Sequence, residues 1–559
     1  MDAIFLDSIS IINPSPESTI RYIYQEKCGN VGPYQILLLG LFGFANIISS
    51  LHYFSQTLIS FTPSHSCSAP KENFQPYSTS LLACSVIQYD EDLSSFRDYK
   101  CTSWDFERES NYESVTTELE WVCDDAYKLA VGQSFFFIGS ALGSIFFGYL
   151  ADRIGRLPAC VLSTLTGASG DFFTSFVGDL PWFSFTRFIS GLSIDTQYVL
   201  MYILVFEYLS PKHRTFGLNI IVGVFDCFGL MICPWIAIWL GNWRSYLWAS
   251  SLPALGMLIF PVCLHESVEW LLTKGMFDKA VSNLKSVAKF NGRQVEDYVF
   301  DDFIKHYSEK LRSSLRKSND TFMGMLRTPR LRKFTIILLI KSVIVTIAFD
   351  ILSRNVEGLG ISPFKLFSYS GFAVLPGGLA IILFQNRIGR KGMACASLFV
   401  SAIITAATGY LVATLDPANY SVLLAIMVSL GRFGGVVAYD AEAQYAAEII
   451  PTSVRGRGVA NIHVVGNAFA FFSSYVIYLG TFYRPLPSLL ISFVLLIGSC
   501  LCLALPETLH KQLPQTLEEG EVFAKGEKWY FFPCFSRRQQ TNNSGSHLES
   551  ANEITKELQ

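Results

Sequence analysis

Five acidic side chains lie inside long apolar stretches of the chain, where a charge is costly and by default marks a functional residue. They are Asp195, Asp226, Asp350, Asp440 and Glu442. Two cations, Arg187 and Lys341, lie in the same stretches, so the acids are in excess. Carboxylates with tyrosine and phenylalanine nearby suit an ammonium ligand, through charge attraction and cation–π contact. The alternative is that several of these acids only pair with the two cations, or are protonated when no ligand is bound.

Spacing along a helix separates the roles of these residues. Asp440 and Glu442 are two residues apart, so their side chains point to different helix faces and cannot both reach one ligand. We predict that Asp440 contacts the ligand and that Glu442 pairs with a neighbouring cation, Lys341. In the stretch 182–208 a further set of residues recurs at helical spacing and forms one stripe. These residues are Arg187, Gly191, Asp195, Tyr198 and Tyr202.

A short charged turn lies between two of the apolar stretches and is repeated once. Residues 148–156 read Gly-Tyr-Leu-Ala-Asp-Arg-Ile-Gly-Arg, and residues 385–391 read Gln-Asn-Arg-Ile-Gly-Arg-Lys. Charges in so short a turn cannot be buried in lipid, and the excess of positive charge indicates the cytosolic surface. One repeat of the turn indicates two similar halves, which is typical of secondary transporters.

The turns are predicted to belong to a cytosolic latch. Asp152, and more weakly Asn386, are expected to face a helix N-terminus across the bundle, where an anion is favoured. Glu207 and Glu448 each stand seven residues before an arginine and are expected to pair with arginines of the neighbouring turn. Ion pairs of this kind close the cytosolic side in one conformation and separate in the other. The alternative is a static set of surface ion pairs. The predicted gating residues are Asp152, Arg153, Arg156, Glu207, Arg214, Arg387, Arg390, Glu448 and Arg455.

Composition places these residues in a membrane protein. Of 559 residues, 50% are hydrophobic and 16% are charged, against roughly a quarter charged in soluble domains. Apolar runs of about 20 residues are long enough to cross about 30 Å of hydrocarbon. The third run is the least regular, because Asp171 and two glycines interrupt it. The twelve predicted spans are 34–60, 127–149, 158–178, 182–208, 216–240, 245–264, 334–354, 366–384, 393–414, 421–449, 456–480 and 486–504.

Lysine and arginine concentrate on one side of these spans, so an even number of spans puts both termini in the cytosol. The predicted fold class is an all-α membrane protein with two six-helix halves. The predicted divisions are a cytosolic N-terminus (1–33), an N-terminal half (34–264), a cytosolic helical loop (265–333), a C-terminal half (334–509) and a cytosolic tail (510–559).

A long external loop, residues 61–126, follows the first span. It carries four cysteines in an oxidising compartment, so we predict two disulfides. The sequence leaves the three possible pairings open. The four residues are Cys67, Cys84, Cys101 and Cys123.

Several function classes are excluded or disfavoured by the same sequence. A net charge of −3 indicates no nucleic-acid partner. The chain has no phosphate-binding Gly-x-x-x-x-Gly-Lys loop, which disfavours ATP-driven transport, and no histidine pair at metal-ligand spacing. We therefore predict neither an enzyme nor a bound cofactor or metal, and interpret His52 in the first span as a packing or hydrogen-bonding residue.

Further motifs follow the two turns in a fixed order along the chain. They are Glu120-Trp121-x-Cys123, Glu266-Ser267, Thr328-Pro-Arg-Leu-Arg, Glu448-x-x-Pro451-Thr-x-x-Arg455 and Pro506-Glu507-Thr508. Together with the turns, this order resembles the organic cation, anion and zwitterion transporters (solute carrier family 22) of the major facilitator superfamily. The resemblance implies twelve helices in two six-helix halves, with one central cavity that opens alternately to each side. Three positions depart from the family pattern: Glu269 replaces an arginine, Asn386 an aspartate, and Val374 a glutamate.

The resemblance also implies cavity positions on four spans. We predict a secondary-active or facilitative transporter of small organic cations or amine-bearing zwitterions, in the lipid bilayer of the plasma membrane. The alternatives are an organic anion or neutral solute as substrate, or a non-transporting receptor on a transporter scaffold. The predicted substrate-binding residues are Asp195, Tyr198, Tyr202, Phe349, Asp350, Asp440 and Asn467.

Overall fold

The computed structural model describes residues 32–68, 79–81, 84–90, 95–209, 211–301, 304–305, 322–509, 511, 513–527 and 532. Internal contacts divide the chain into two compact units. Unit 1 comprises Met1–Ser318, Arg354–Phe372 and Ala470–Phe482, and unit 2 comprises Asn319–Ser353, Ala373–Phe469 and Tyr483–Gln559.

The helices up to the cytosolic loop are mostly long and apolar. The first is α1 (Pro33–Ile59), and a short α2 (Val115–Glu118) lies in the external loop. The others are α3 (Tyr127–Ile154), α4 (Arg156–Thr174), α5 (Leu180–Gly191), α6 (Ile194–Tyr208), α7 (Pro211–Leu240), α8 (Trp243–Ser251) and α9 (Phe260–Cys263), with a 3-10 helix at Leu252–Ile259 before α9.

Further helices lie in the loop 265–333 and in the spans that follow it. The loop contains α10 (Val268–Thr273), α11 (Phe277–Phe290) and α12 (Phe322–Arg327). The helices after it are α13 (Pro329–Arg354), α14 (Pro363–Gly371), α15 (Val374–Ile388), α16 (Arg390–Thr414), α17 (Pro417–Ile449), α18 (Arg455–Phe469), α19 (Phe472–Tyr478), α20 (Leu486–Leu503) and α21 (Leu517–Val522).

Eleven helical stretches among the described residues are long and apolar enough to cross a membrane. They coincide with eleven of the twelve predicted spans. The remaining prediction, 158–178, corresponds to α4, a 19-residue helix. This helix is less apolar than the eleven, because Asp171 lies in it. Asp171 is fully buried, at 1% exposure. The helix exists where the sequence predicts a span, and its acidic residue is covered by neighbouring helices.

The predicted fourth span, 182–208, is not one continuous helix. It breaks at Leu192–Ser193, between α5 and α6. The backbone of α3 approaches closely at this point: a Cβ at Gly191 would lie 1.9 Å from the Phe136 carbonyl oxygen, and one at Gly143 would lie 1.9 Å from the Leu192 carbonyl oxygen. Only glycine permits backbones to touch in this way.

The external loop adds strands that the all-α prediction did not include. Strand β1 (His65–Cys67) pairs antiparallel with β5 (Trp104–Phe106), and β2 (Thr79–Leu81), β3 (Ser85–Asp90) and β4 (Ser95–Lys100) form an antiparallel meander. The cysteines pair as Cys67–Cys101 and Cys84–Cys123.

Within unit 1, α1 packs against α6 and α7, and α3 packs against α5. The core extends to the helices of the loop 265–333, where Ala280, Leu284 and Val287 of α11 are buried with Tyr34 of α1. This loop, predicted to be helical, contains α10 and α11 in its first part, and its residues 302–303 and 306–321 lie outside the described residues.

Within unit 2, α16 packs against α17 and α20. The polar tail also packs within unit 2, where α21 contacts the start of α13. There the Glu521 carboxylate accepts hydrogen bonds from the backbone N–H groups of Arg330 (2.9 Å) and Leu331 (2.8 Å). Partial burial opposes ionisation, but these two donors outweigh it and lower the pKa of Glu521.

Candidate functional site

The first charged turn contacts an acid from the loop 265–333. Gly155 joins α3 to α4 with a φ of 114°. The Glu266 carboxylate accepts hydrogen bonds from the backbone N–H groups that begin α4, at 2.9 Å from Arg156 and 3.1 Å from Leu157. An anion at a helix N-terminus is favoured by the helix dipole and by unpaired N–H groups. Burial raises the pKa of Glu266, although these donors favour its ionised form.

Asp152 does not contact the N-terminus of α4. Its carboxylate, 73% exposed, accepts a 2.7 Å hydrogen bond from the Arg156 guanidinium, one helical turn further on. Its expected position opposite a helix N-terminus across the bundle stays a prediction, and Glu266, from the loop 265–333, contacts the N–H groups of α4. The next residue, Ser267, donates its hydroxyl to Glu207.

The second charged turn repeats this arrangement. Gly389 joins α15 to α16 with a φ of 95°. Glu507 accepts a hydrogen bond from the backbone N–H of Arg390, the first residue of α16, at 2.9 Å. The Arg390 guanidinium bonds Asn386 at 2.8 Å and Glu448 at 3.1 Å. Thr508 donates its hydroxyl to Glu448 at 2.5 Å, as Ser267 does to Glu207.

The remaining predicted gating residues surround these turns. Arg153 and Arg387 are exposed, and Arg153 lies 5.0 Å from the centre of the Tyr149 ring. Arg455 donates to the Ile450 carbonyl oxygen at 3.2 Å. The Arg214 side chain lies outside the described part of the chain.

In unit 1, Asp195 precedes a row of three aromatic residues on α6. The ring centres of Tyr198 and Tyr202 are 6.1 Å apart, and those of Tyr202 and Phe206 are 6.4 Å apart. Phe42 of α1 contacts both tyrosine rings. Asp195 is half-buried and accepts a hydrogen bond from Ser140 of α3. This arrangement presents a carboxylate beside aromatic faces, which suits an organic cation.

In unit 2, the corresponding features lie on α13 and α17. Asp440 is exposed, and the ring of the preceding Tyr439 lies 5.1 Å from that of Phe349. Glu442 is buried and forms the predicted ion pair with Lys341. The Lys341 ammonium also lies 5.0 Å from the centre of the Tyr445 ring. The different exposure of Asp440 and Glu442 follows from their positions on different faces of α17.

Two further predicted ligands differ in access. Asn467 on α18 is half-buried, whereas Asp350 is only 1% exposed. A substrate therefore cannot contact Asp350 in this conformation, because neighbouring side chains cover its carboxylate.

The count of buried charges from the sequence is also wrong. Among the described residues that are buried in spanning helices, the acids are Asp171, Asp350 and Glu442, and the cations are Arg187, Lys341, Arg354, Lys391 and Arg432. The predicted excess of acids therefore does not hold for the buried charges, because Asp195, Asp226 and Asp440 are half-buried or exposed. Arg432 is visible in the sequence as a cation inside an apolar run and should have been counted.

A family model described as Major Facilitator Superfamily matches residues 128–474. The chain belongs to this superfamily. The predicted resemblance to solute carrier family 22 is confirmed by curated relatives, among them the human "Solute carrier family 22 member 2", which is 28% identical over 419 residues, covering 74% of this chain and 73% of that protein. The chain is 26% identical to the "Organic cation transporter protein" of Drosophila melanogaster over 519 residues, covering 89% of this chain and 94% of that protein. It is 27% identical to the human "Organic cation/carnitine transporter 2" over 451 residues, covering 80% and 79%.

Solved structures support the predicted fold of this superfamily member. It is similar to the xylose transporter XylE from E. coli in an inward open conformation, with a TM-score of 0.57 and 15% sequence identity, covering 87% of this chain and 99% of that one. At this identity the likeness concerns the fold alone. The predicted major facilitator fold, an all-α membrane architecture, is confirmed.

Proposed function

We propose that this multi-pass membrane protein carries small organic cations or amine-bearing zwitterions across the membrane by alternating access. The names of its curated relatives, an organic cation transporter and an organic cation/carnitine transporter, support this substrate class. Membership in a transporter superfamily supports transport rather than an enzymatic reaction.

The observation that carries the proposal is the exposed carboxylate of Asp440 on a membrane-spanning helix. Asp440 lies nine residues before the end of α17 at Ile449, which corresponds to about 14 Å at 1.5 Å per residue. A charged group at this depth is costly in lipid, so an exposed one is expected to face water. Phe349 and Tyr439 provide aromatic surface beside it.

Asp195 supports the same substrate class from unit 1. Its carboxylate is fixed by Ser140, and the rings of Tyr198 and Tyr202 extend from it along α6. A cation gains about 1–4 kcal/mol from a close carboxylate, depending on how much water screens the pair. Aromatic faces add cation–π attraction.

We also place the protein in the plasma membrane with both termini in the cytosol. Two disulfides in the loop 61–126 suit an extracellular environment. The charged turns, with Arg153, Arg156, Arg387 and Arg390, suit the cytosolic surface on the opposite side.

Uptake into cells that express the protein tests the proposal. Radiolabelled tetraethylammonium, carnitine and p-aminohippurate represent a cation, a zwitterion and an anion. We expect saturable uptake of the cation or the zwitterion, above that of cells without the protein. Preferential uptake of p-aminohippurate would contradict the substrate class, and no uptake of any probe by protein at the cell surface would favour a receptor.

A further inference from the structure

Gln444 of α17 lies between the two acids of that helix that the substrate site and the second charged turn use. Asp440 precedes it by four residues and Glu448 follows it by four, so the three side chains lie on one face of the helix. Asp440 and Gln444 are exposed, and Glu448 is half-buried. The buried face of α17 is formed by other residues, among them Glu442 and Tyr445.

The Glu448 carboxylate fixes the orientation of the Gln444 amide. Gln444 Nε2 donates a hydrogen bond to Glu448 Oε1 at 3.2 Å, and Arg390 Nε donates to the same oxygen at 3.1 Å. The other oxygen accepts from the Thr508 hydroxyl. Because an ionised carboxylate only accepts hydrogen bonds, the amide group turned towards Glu448 is the NH2 group. The amide oxygen is bonded to the same carbon on its other side, so it points away from Glu448.

A ligand at Asp440 is within reach of this amide oxygen. Side chains four residues apart on a helix lie next to each other, with about 5–6 Å between their Cβ atoms. An ammonium group against the Asp440 carboxylate therefore lies beside Gln444 as well. The carboxylate attracts any cation through charge, whereas a neutral amide oxygen needs an N–H or O–H donor to form a hydrogen bond.

We propose that Gln444 binds the substrate ammonium through its amide oxygen and selects amines that carry an N–H over quaternary ammonium ions. The proposal rests on the proposed function and narrows its substrate class. Gln444 was not among the substrate-binding residues predicted from the sequence, because it is uncharged and its position beside Asp440 and Glu448 had not been used.

The aromatic surface near Asp440 does not provide this selectivity. The ring of Tyr439 lies 5.1 Å from that of Phe349, and aromatic faces attract quaternary ammonium ions as well as protonated amines. A site with an oriented hydrogen-bond acceptor rejects a ligand that lacks the donor, because the acceptor then stays unpaired. In this region of α17, Gln444 provides such an acceptor without adding charge.

The depth of Gln444 in its helix agrees with a place on the substrate path. It lies five residues before the end of α17 at Ile449, which corresponds to about 8 Å at 1.5 Å per residue. Asp440 lies one helical turn deeper. A cation that moves from Asp440 towards this end of α17 passes the Gln444 amide and then Glu448.

Two probes of matched shape separate hydrogen bonding from charge. Protonated phenethylamine carries three N–H groups and N,N,N-trimethylphenethylammonium carries none, while both have one positive charge at about pH 7. Equilibrium binding of each radiolabelled probe is measured with purified full-length protein in lipid nanodiscs. We expect Gln444→Met to weaken phenethylamine binding by about fivefold to tenfold, through loss of one hydrogen bond to a charged group. Binding of the quaternary probe should not change.

Two further variants serve as controls. Gln444→Glu keeps an acceptor oxygen at this position, so it should retain the tight binding of phenethylamine. Ser429→Ala changes another polar residue of α17, whose hydroxyl bonds the backbone of its own helix at Ala425. This variant should keep the wild-type affinities for both probes.

The outcomes of this experiment are separate from those of the transport proposal. Equal weakening of both probes by Gln444→Met, no weakening of either, or no binding of phenethylamine to the wild-type protein would overturn the role of Gln444. Tetraethylammonium uptake decides the proposed function independently. If the wild-type protein carries no probe, the two binding affinities still decide whether Gln444 is a ligand. If Gln444→Met does not fold, Gln444→Leu replaces it with the same expected result.

Discussion

Asp440 and Glu442 illustrate how two acids of one helix acquire different roles. Asp440 is exposed beside the Phe349–Tyr439 ring pair, whereas Glu442 is buried against Lys341. A carboxylate that neutralises a buried cation contributes to folding, because its loss leaves an uncompensated charge. The exposed carboxylate of Asp440 is the one that we propose contacts the ligand.

Substitution of these two residues should therefore separate transport from stability. Asp440→Asn should reduce cation uptake about tenfold or more, which corresponds to about 1.4 kcal/mol of lost attraction, at a near-normal surface level. Glu442→Gln should reduce the surface level itself, since breaking a buried pair costs about 3–5 kcal/mol. Surface biotinylation and uptake are measured together for both variants. Equal loss of surface protein in both would contradict the assignment.

The sequence predicts some of these pairs and misses others for a physical reason. Lys341 with Glu442 could be anticipated, because each was a costly charge in an apolar run. The His52–Asp171–Arg187 cluster could not, since its members lie on three helices and the sequence gives no distances between helices. Asp171 was interpreted only as an irregularity of its span.

At the scale of elements, two glutamates fix where helices begin. Glu266 caps α4 and Glu507 caps α16, and both come from segments distant in sequence. Sequence patterns indicate the helices and the glycine turns between them, but the capping partner depends on tertiary contact. Likewise, the break after α5 lies where α3 approaches closely, a contact that helical periodicity does not reveal.

Loss of one acceptor oxygen of Glu266 should destabilise the protein measurably. Glu266→Gln should lower the thermal unfolding temperature, because an amide offers one acceptor oxygen where the carboxylate uses two for the N–H groups of Arg156 and Leu157, and a lost hydrogen bond costs about 0.5–1.5 kcal/mol. Glu269→Gln is the matched control, since Glu269 is exposed three residues later and has no such contact among the described interactions. Equal unfolding temperatures for the two variants would remove the capping role.

The external loop gives a prediction about covalent structure. Cys67→Ser should free the thiol of Cys101, and Cys84→Ser should free that of Cys123. Labelling with an impermeant maleimide, followed by peptide mass spectrometry, identifies the freed cysteine. A freed Cys84 or Cys123 in the Cys67→Ser variant would establish a different pairing. The sequence predicts two disulfides but leaves the pairing open, because connectivity depends on how β1, β3 and β4 are arranged.

At the scale of the whole molecule, the repeated turn predicts a repeated structure. Each unit contains a glycine turn, a glutamate cap and a hydroxyl bonded to a glutamate: Ser267 to Glu207 in unit 1, and Thr508 to Glu448 in unit 2. The fold was predictable at this scale because the length of the apolar runs indicates membrane spans, and the bias of positive charge indicates their orientation. Substrate chemistry was less predictable, since it depends on which charges face water.

The most direct test of cation transport uses purified protein in liposomes with an inside-negative potential. Saturable uptake of radiolabelled tetraethylammonium is compared between the wild-type protein and the Asp195→Asn/Asp440→Asn double variant, at equal amounts of reconstituted protein. We predict potential-driven uptake by the wild type and a reduction of about a hundredfold in the double variant, since each carboxylate contributes about tenfold when the sites act independently. Undiminished uptake by the double variant would contradict the account.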